Sequence, residues 1–268
     1  MTTQTTAHPI GYANAIWKLR YFWLSLVKMD LRTRYRRSFL GIGWSMLHPL
    51  AMTAVICTVF HKLFDLDVRE FGPSLMAGLC FWSYLSTCTT HGCRCLYQGE
   101  PYIRQYPAPM AIYPLRVTLG AGIHFVFALL VVIVLRWGFS GFDNVPALAY
   151  LPPALLLLFV FGWGVATVVS FVNVYFPDTE HICEVVLQAL FYLTPIVYTP
   201  EMLRNRGMDW LLDVNPMANI LELVRRPILH GEAPSLYAVA LSAGTVFAVG
   251  CVATLMLYRF ERKVIFQL

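Results

Sequence analysis

The sequence predicts an all-α integral membrane protein: six transmembrane helices preceded by an N-terminal amphipathic interface helix, with a re-entrant outer hairpin between spans five and six. Three observations predict it. Of 268 residues, 58% are hydrophobic and only 13% are charged, where a soluble domain carries about a quarter. Six segments are free or nearly free of Asp, Glu, Lys and Arg, and about 20 apolar residues suffice to cross a hydrocarbon core about 30 Å thick. A stretch dense in basic and aromatic residues runs directly into the first of these segments.

That stretch, residues 14–37, interleaves Trp17, Tyr21, Phe22 and Trp23 with Lys18, Arg20, Lys28, Arg32, Arg34, Arg36 and Arg37. Such a helix lies among lipid headgroups, with its cations at the phosphates and its rings in the interface. Its apolar run at 21–27 is short and bounded by Arg20 and Lys28, unlike a secretory signal. The chain therefore divides into residues 1–37, a cytoplasmic N-terminus with the interface helix, and residues 38–268, the membrane domain. Spans are expected at 38–60, 71–93, 117–135, 152–176, 179–200 and 233–258. Pro152 and Pro153 fit the first turn of the fourth, and Pro177 stops it. The fifth is short and interrupted by Pro195, so its freed polar groups need protein or water rather than lipid.

Two pieces do not span. Residues 97–113 form a loop in which Pro107 and Pro109 end any short helix begun after Pro101. Residues 201–230 are too short to span and too apolar for solvent. Gly207 and Asn215-Pro216 cut them into amphipathic halves, which fits a hairpin capping the outer end of the bundle. Six spans put both termini on one side. With the N-terminus inside, thirteen of the twenty Lys and Arg fall inside and nine of the fifteen acidic residues outside, the asymmetry of cytoplasmic loops. The net charge of +5 is thus a topological signal and calls for no nucleic acid.

Little else in the sequence carries chemistry. The seven cysteines sit mostly in apolar segments and read as small hydrophobes, with no disulfide framework. Cys93-Arg94-Cys95 beside His91 matches no common zinc spacing. His48 and His124 lie inside spans, where a neutral imidazole bonded to a backbone carbonyl is the expected state. No G-x-x-x-x-G-K-[ST] loop, H-E-x-x-H or G-x-S-x-G occurs. No carboxylate lies in the middle of a span, which leaves a carrier driven by ion gradients without its relay. The small-residue ladder Ala240, Gly244 and Ala248 permits close helix approach, either within one protomer or between two.

The run Asp30-Leu31-Arg32-Thr33-Arg34-Tyr35-Arg36-Arg37-Ser38, followed by Leu40-Gly41, Trp44-Ser45 and Pro49-Leu50, resembles the N-terminal signature of permease subunits of type-2 ABC exporters for polysaccharides. These serve O-antigen, capsule and teichoic acid export. Tyr102-Ile103-Arg104, Pro109, Pro114-Leu115-Arg116, Phe176, Asp178, Leu193, Pro195-Ile196, Tyr198, Pro200-Glu201 and Asn215-Pro216 continue the likeness in the same order. The resemblance implies a homodimeric permease of the bacterial inner membrane with both termini cytoplasmic. It is not itself an enzyme. It works with a separate pair of ATPase subunits that hold ATP and magnesium, and the chain itself holds no cofactor. A lipid-linked polysaccharide passes through a channel at the dimer axis.

Carried onto this sequence, the resemblance makes residues 14–37 and 97–113 the parts that meet the ATPase, with Glu100, Tyr102 and Arg104 as coupling candidates. Arg32, Arg34, Tyr35, Arg36, Arg37, Leu40 and Gly41 mark the cytoplasmic entrance, where Arg36 or Arg37 holds the lipid-carrier phosphate and Tyr35 stacks on the first sugar. The competing role for these arginines is plain attraction to anionic lipid. Trp210, Asn215 and Pro216 belong to the outer gate. Aromatic faces stack on the C–H faces of sugars, so Phe81, Trp82, Tyr84, Phe191, Tyr192 and Tyr198 are channel-lining candidates, against the alternative of interfacial or core rings. The competing functions are a type-2 ABC permease for a drug or haem and an integral-membrane enzyme acting on lipid or glycan precursors.

Overall fold

The computed structural model describes residues 9–64, 67–106, 108–142, 145–204 and 206–268. Pro107, residues 1–8 of the N-terminal segment and residue 205 of the hairpin lie outside the described residues. The described chain is nearly all helix, with no strand. Its helices are α1 (Pro9–Lys18), α2 (Arg20–Tyr35), α3 (Trp44–Phe64), α4 (Val68–Gln105), α5 (Ile112–Ser140), α6 (Leu151–Tyr175), α7 (Thr179–Leu193), α8 (Pro200–Arg204), α9 (Asp209–Val214), α10 (Pro216–Leu229) and α11 (Leu236–Val264).

The interface stretch is two helices rather than one. The chain breaks at Leu19, and the carbonyl of Ile16 there accepts the Trp23 indole N–H at 3.1 Å. After Tyr35 the backbone turns sharply: Arg37 has φ 65° and Gly41 φ 52°, and Ser38 Oγ accepts the Gly41 amide at 3.1 Å. A left-handed φ suits Gly41, which lacks a Cβ, better than Arg37.

Among the described residues four stretches are long and apolar enough to cross a membrane: Gly41–Phe60, Ile112–Phe139, Val145–Tyr175 and Leu236–Val264. The segments expected as spans two and five are not among them. Helix α7 has 15 residues, which at 1.5 Å per residue reach only about 22 Å. It begins at Thr179 and stops at Leu193, two residues before Pro195. Helix α4 is long enough, with 38 residues, but its Ser, Thr and Gly residues and His91 dilute its apolarity.

Helix α4 also departs from the expected loop. No separate helix forms after Pro101: α4 runs through that proline to Gln105, and the connection to α5 shrinks to residues 106–111. An interior proline costs about 3 kcal/mol. Here the packing face continues across it. Leu96 and Ile103 of α4 share a buried cluster with Tyr113, Phe171, Val174 and Val264.

Helix α4 is the axis of the bundle, in contact with α3, α5, α6, α7 and α10. Met76, Cys80, Phe81, Tyr84 and Leu85 pack with Phe125, Leu129 and Val132 of α5, Leu158 and Phe161 of α6, and Ile220, Leu221 and Val224 of α10. Small residues set the spacing, as expected where lipid supplies no hydrophobic drive between helices. A Cβ on Gly92 of α4 would stand 2.9 Å from the Ala166 Cα of α6, and one on Gly164 2.8 Å from Val249 of α11. Asn173 of α6 donates to the Cys93 carbonyl at 2.9 Å. Helix α6 begins with Pro152 and Pro153 in its first turn and ends at Tyr175. By contrast, α3 and α11 expose most of their apolar surface.

Gly92→Ala is expected to lower stability by about 1–3 kcal/mol, because backbone rather than a flexible side chain blocks the added methyl. Gly122→Ala meets open space and is expected to be neutral. Thermal unfolding of both variants in one detergent checks the pair.

Candidate functional site

The basic end is built by laying α2 along α5. Asp30 and Arg116 form a two-pronged ion pair, and Leu26 and Val27 are buried beneath it. Arg32, Arg34, Arg36 and Arg37 are all exposed and pair with no described carboxylate. Lys28, Arg32 and Arg36, four residues apart, line one groove with Ser25, Met29 and Thr33. Leu40 is half exposed at the turn into α3, and Gly41 has open space around it.

Tyr35 does not stand free beside these arginines. Its hydroxyl lies 3.1 Å from His124 Nδ1, and the two rings meet edge to face at 5.6 Å. His124 therefore finds a side-chain hydroxyl, not the backbone carbonyl expected of it. Both groups tie α2 to α5. His48 is exposed on α3.

The coupling candidates divide as well. Glu100 and Arg104 form an i,i+4 pair at 2.8 Å on the surface of α4, a contact worth about 0.3–0.5 kcal/mol. Tyr102 turns the other way, its ring 6.0 Å from Phe22 and its hydroxyl against Met29 Sδ at 3.9 Å. A second ion pair, Arg94 Nε to Glu180 at 2.7 Å, joins α4 to the start of α7.

At the opposite end the break after α7 is the main construction. Thr194, Pro195 and Ile196 are buried with no helix to satisfy their carbonyls. Arg225 of α10, itself buried, supplies the donors: Nη1 to the Pro195 carbonyl, Nη2 to Ile196 O at 3.2 Å, and Nε to Ser74 O of α4 at 3.1 Å. Gly78 gives the guanidinium room, because a Cβ there would collide with Nη2. Asn215 completes the join. Its amide donates to Leu193 O at 3.1 Å and Thr194 Oγ1 at 3.0 Å, while its Oδ1 accepts the Met217 amide and caps α10.

Sequence reasoning passed over Arg225. A signal was available: Arg225 falls on the apolar stripe of α10, four residues after Leu221 and three before Ile228. Arg226 falls off that stripe and pairs with Glu222 and Glu232, each at 3.1 Å. Of the outer-gate candidates, Asn215 is buried, Pro216 opens α10, and Trp210 on α9 is exposed.

The six aromatic candidates do not share one surface. Phe81 and Tyr84 belong to the core of the chain, with Tyr84 donating to Leu158 O at 3.2 Å against Gly162. Phe81 is fully buried within the chain, and Tyr84 is buried but for one edge that borders a cavity with Phe125 and Leu158. The other four form one group. Trp82 and Phe191 meet edge to face at 5.6 Å, Phe191 and Tyr192 at 5.3 Å, and Tyr198 donates to Tyr192 O at 2.9 Å. Tyr192 is 67% exposed. The ladder Ala240, Gly244 and Ala248 is exposed along α11, with nothing within 4 Å of a Cβ at Gly244.

Arg225→Met strands buried carbonyls at about 1–3 kcal/mol each, so a loss of at least about 3 kcal/mol is expected. Arg226→Met removes only exposed pairs and is expected to cost under about 1 kcal/mol. Unfolding of the two variants in detergent measures the difference.

Comparison with known proteins gives the family. The profile of the ABC-2 type transporter family matches residues 21–229. The O-antigen export system permease protein RfbA of Klebsiella pneumoniae is 23% identical over 206 residues, 77% of this chain and 79% of that protein. The RfbA protein of Myxococcus xanthus is 24% identical over 213 residues, 79% of this chain and 82% of its own length. The polysialic acid transport protein KpsM of Escherichia coli is 22% identical over 246 residues, covering 89% and 93%. With a buried apolar core between membrane-length helices and a family match over most of its length, the chain belongs to the ABC-2 type transporter family of multi-pass membrane permeases.

Proposed function

We propose that the chain is the permease subunit of an ATP-driven exporter that moves a lipid-linked polysaccharide across the inner membrane. The observation that carries the cargo is the group Trp82, Phe191, Tyr192 and Tyr198: the first three are joined ring to ring, Tyr198 is tied to the Tyr192 carbonyl, and the uncharged group rises from the half-buried Trp82 and Phe191 to the exposed Tyr192. Such a surface binds sugar C–H faces while its hydroxyls offer polar contacts. The names of the O-antigen and polysialic acid relatives support the same reading.

In this reading α3, the 71–93 part of α4, α5, α6, α7 with residues 194–199, and α11 are the six spans. Residues 201–230 form the re-entrant outer hairpin, with Trp210 at its surface. The uncovered apolar faces of α3 and α7 flank α4 and pair with a second copy, so that the aromatic group faces a path at the dimer axis. Phe81 and Tyr84 support that wall from behind. The basic end is cytoplasmic, in keeping with the bias of Lys and Arg. There Arg36 and Arg37, exposed beside the turn at Leu40-Gly41, hold the phosphate of the lipid carrier. The part of α4 beyond Cys93 and the loop to α5 meet a separate ATPase pair, which supplies ATP and magnesium. Tyr35, committed to His124, positions α2 rather than stacking on sugar.

Each aromatic contact is worth about 0.5–1.5 kcal/mol. Trp82→Ala with Tyr192→Ala is therefore expected to lower surface glycan about ten-fold while ATP hydrolysis by the purified complex continues; undiminished glycan would favour a different cargo. Arg36→Ala with Arg37→Ala is expected to reduce export without reducing the amount of protein in the membrane. Membrane fractionation beside glycan staining separates those two quantities.

A further inference from the structure

The short connection from α4 to α5 is held from three sides. Glu261 of α11 places one oxygen, Oε1, where it accepts both the Met110 amide and the Tyr12 hydroxyl of α1, each at 2.8 Å. The same Tyr12 oxygen accepts the Ala111 amide at 3.3 Å. Trp163 of α6 donates its indole N–H to the Ala111 carbonyl at 3.1 Å. Contacts spanning 52 to 249 residues of sequence thus converge on two loop residues.

The chemistry favours stiffness. A carboxylate accepting two donors makes charge-assisted bonds, about twice as strong as neutral ones. It also sits just ahead of the first turn of α5, where the helix dipole favours negative charge. Burial and the adjacent Glu261 carboxylate push the Tyr12 hydroxyl further from ionising, so it remains a donor. Met110 and Tyr113 on one side and Val264 on the other belong to one buried apolar cluster, which excludes water from the join.

We propose that Glu261 and Tyr12 are positioning residues of the transport cycle, clamping residues 110–111 so that a displacement imposed on the loop reaches α1, α6 and α11 together instead of bending the loop. This rests on the reading that an ATPase meets the loop. Without the clamp, ATP is hydrolysed but the movement is lost in slack backbone.

The test uses the full chain, in lipid nanodiscs and in cells together with its ATPase. In Glu261→Ala the amides of Met110 and Ala111 are expected to exchange hydrogen about ten-fold faster. Surface glycan is expected to fall about five-fold or more, with ATP hydrolysis by the complex unchanged. Glu261→Gln keeps an oxygen acceptor and is expected to restore both exchange and glycan most of the way. Tyr12→Phe leaves the Met110 bond and is expected to fall between the two. Unchanged exchange in Glu261→Ala overturns the clamp. Faster exchange with full glycan, or glycan and ATP hydrolysis falling in step, overturns its part in coupling. If wild-type protein with its ATPase exports no glycan, the transport reading fails, and the exchange data still decide the clamp.

Discussion

Backbone carbonyls that leave a helix inside a buried core must find donors, and one guanidinium meets that demand here. The Pro195 break strips α7 of its continuation, and Arg225 answers with bonds to Pro195, Ile196 and Ser74. Burying a cation among neutral carbonyls is costly unless every donor is used. Arg225 therefore does more than fill a gap. It fixes α10, the break and the first turns of α4 as one body, and Gly78 is small because that body has no space for a side chain. A second arginine extends the scheme: Arg136 of α5 donates to the Leu229 carbonyl at the C-terminus of α10, at 3.0 Å.

The other end of the bundle uses the same physics with the signs reversed. There the groups in need of partners are buried amides just ahead of α5: the Glu261 carboxylate accepts that of Met110 and the Tyr12 oxygen that of Ala111. The ion pair of Asp30 with Arg116 and the contact of Tyr35 with His124 hold α2 across α5. The arginines facing away stay uncommitted to any described carboxylate. Charges that build the fold are paired or capped inside, and charges available to a ligand or to lipid stand outside.

Sequence reading caught what prolines, glycines and charge patterns encode. The start of α6 at Pro152-Pro153, the interruption at Pro195 and the cap at Asn215-Pro216 are local steric facts, legible without a fold. It missed what only packing decides. Pro101 does not end α4, because Leu96 and Ile103 keep finding partners on both sides of it. Phe81 and Trp82 looked equivalent as ring carriers. Adjacent residues on a helix point about 100° apart, and nothing local says which faces the core. For His124 the sequence suggests only a carbonyl partner, because its partner in the fold, Tyr35, lies 89 residues away. Arg225 was hidden by its neighbour Arg226, since two adjacent arginines read as one surface patch until the period of α10 separates them.

The unbroken length of α4 has a mechanical consequence. At 38 residues, it is a rod of about 57 Å, so its C-terminal end and the part that carries Trp82 are one lever. A tilt of about 5° about one end of such a rod moves the other end by about 5 Å. Trp82 stands about 21 Å from the Val68 end, so with that end as the pivot a displacement of about 5 Å at Gln105 reaches Trp82 as about 2 Å, a reduction by lever arm that trades distance for force.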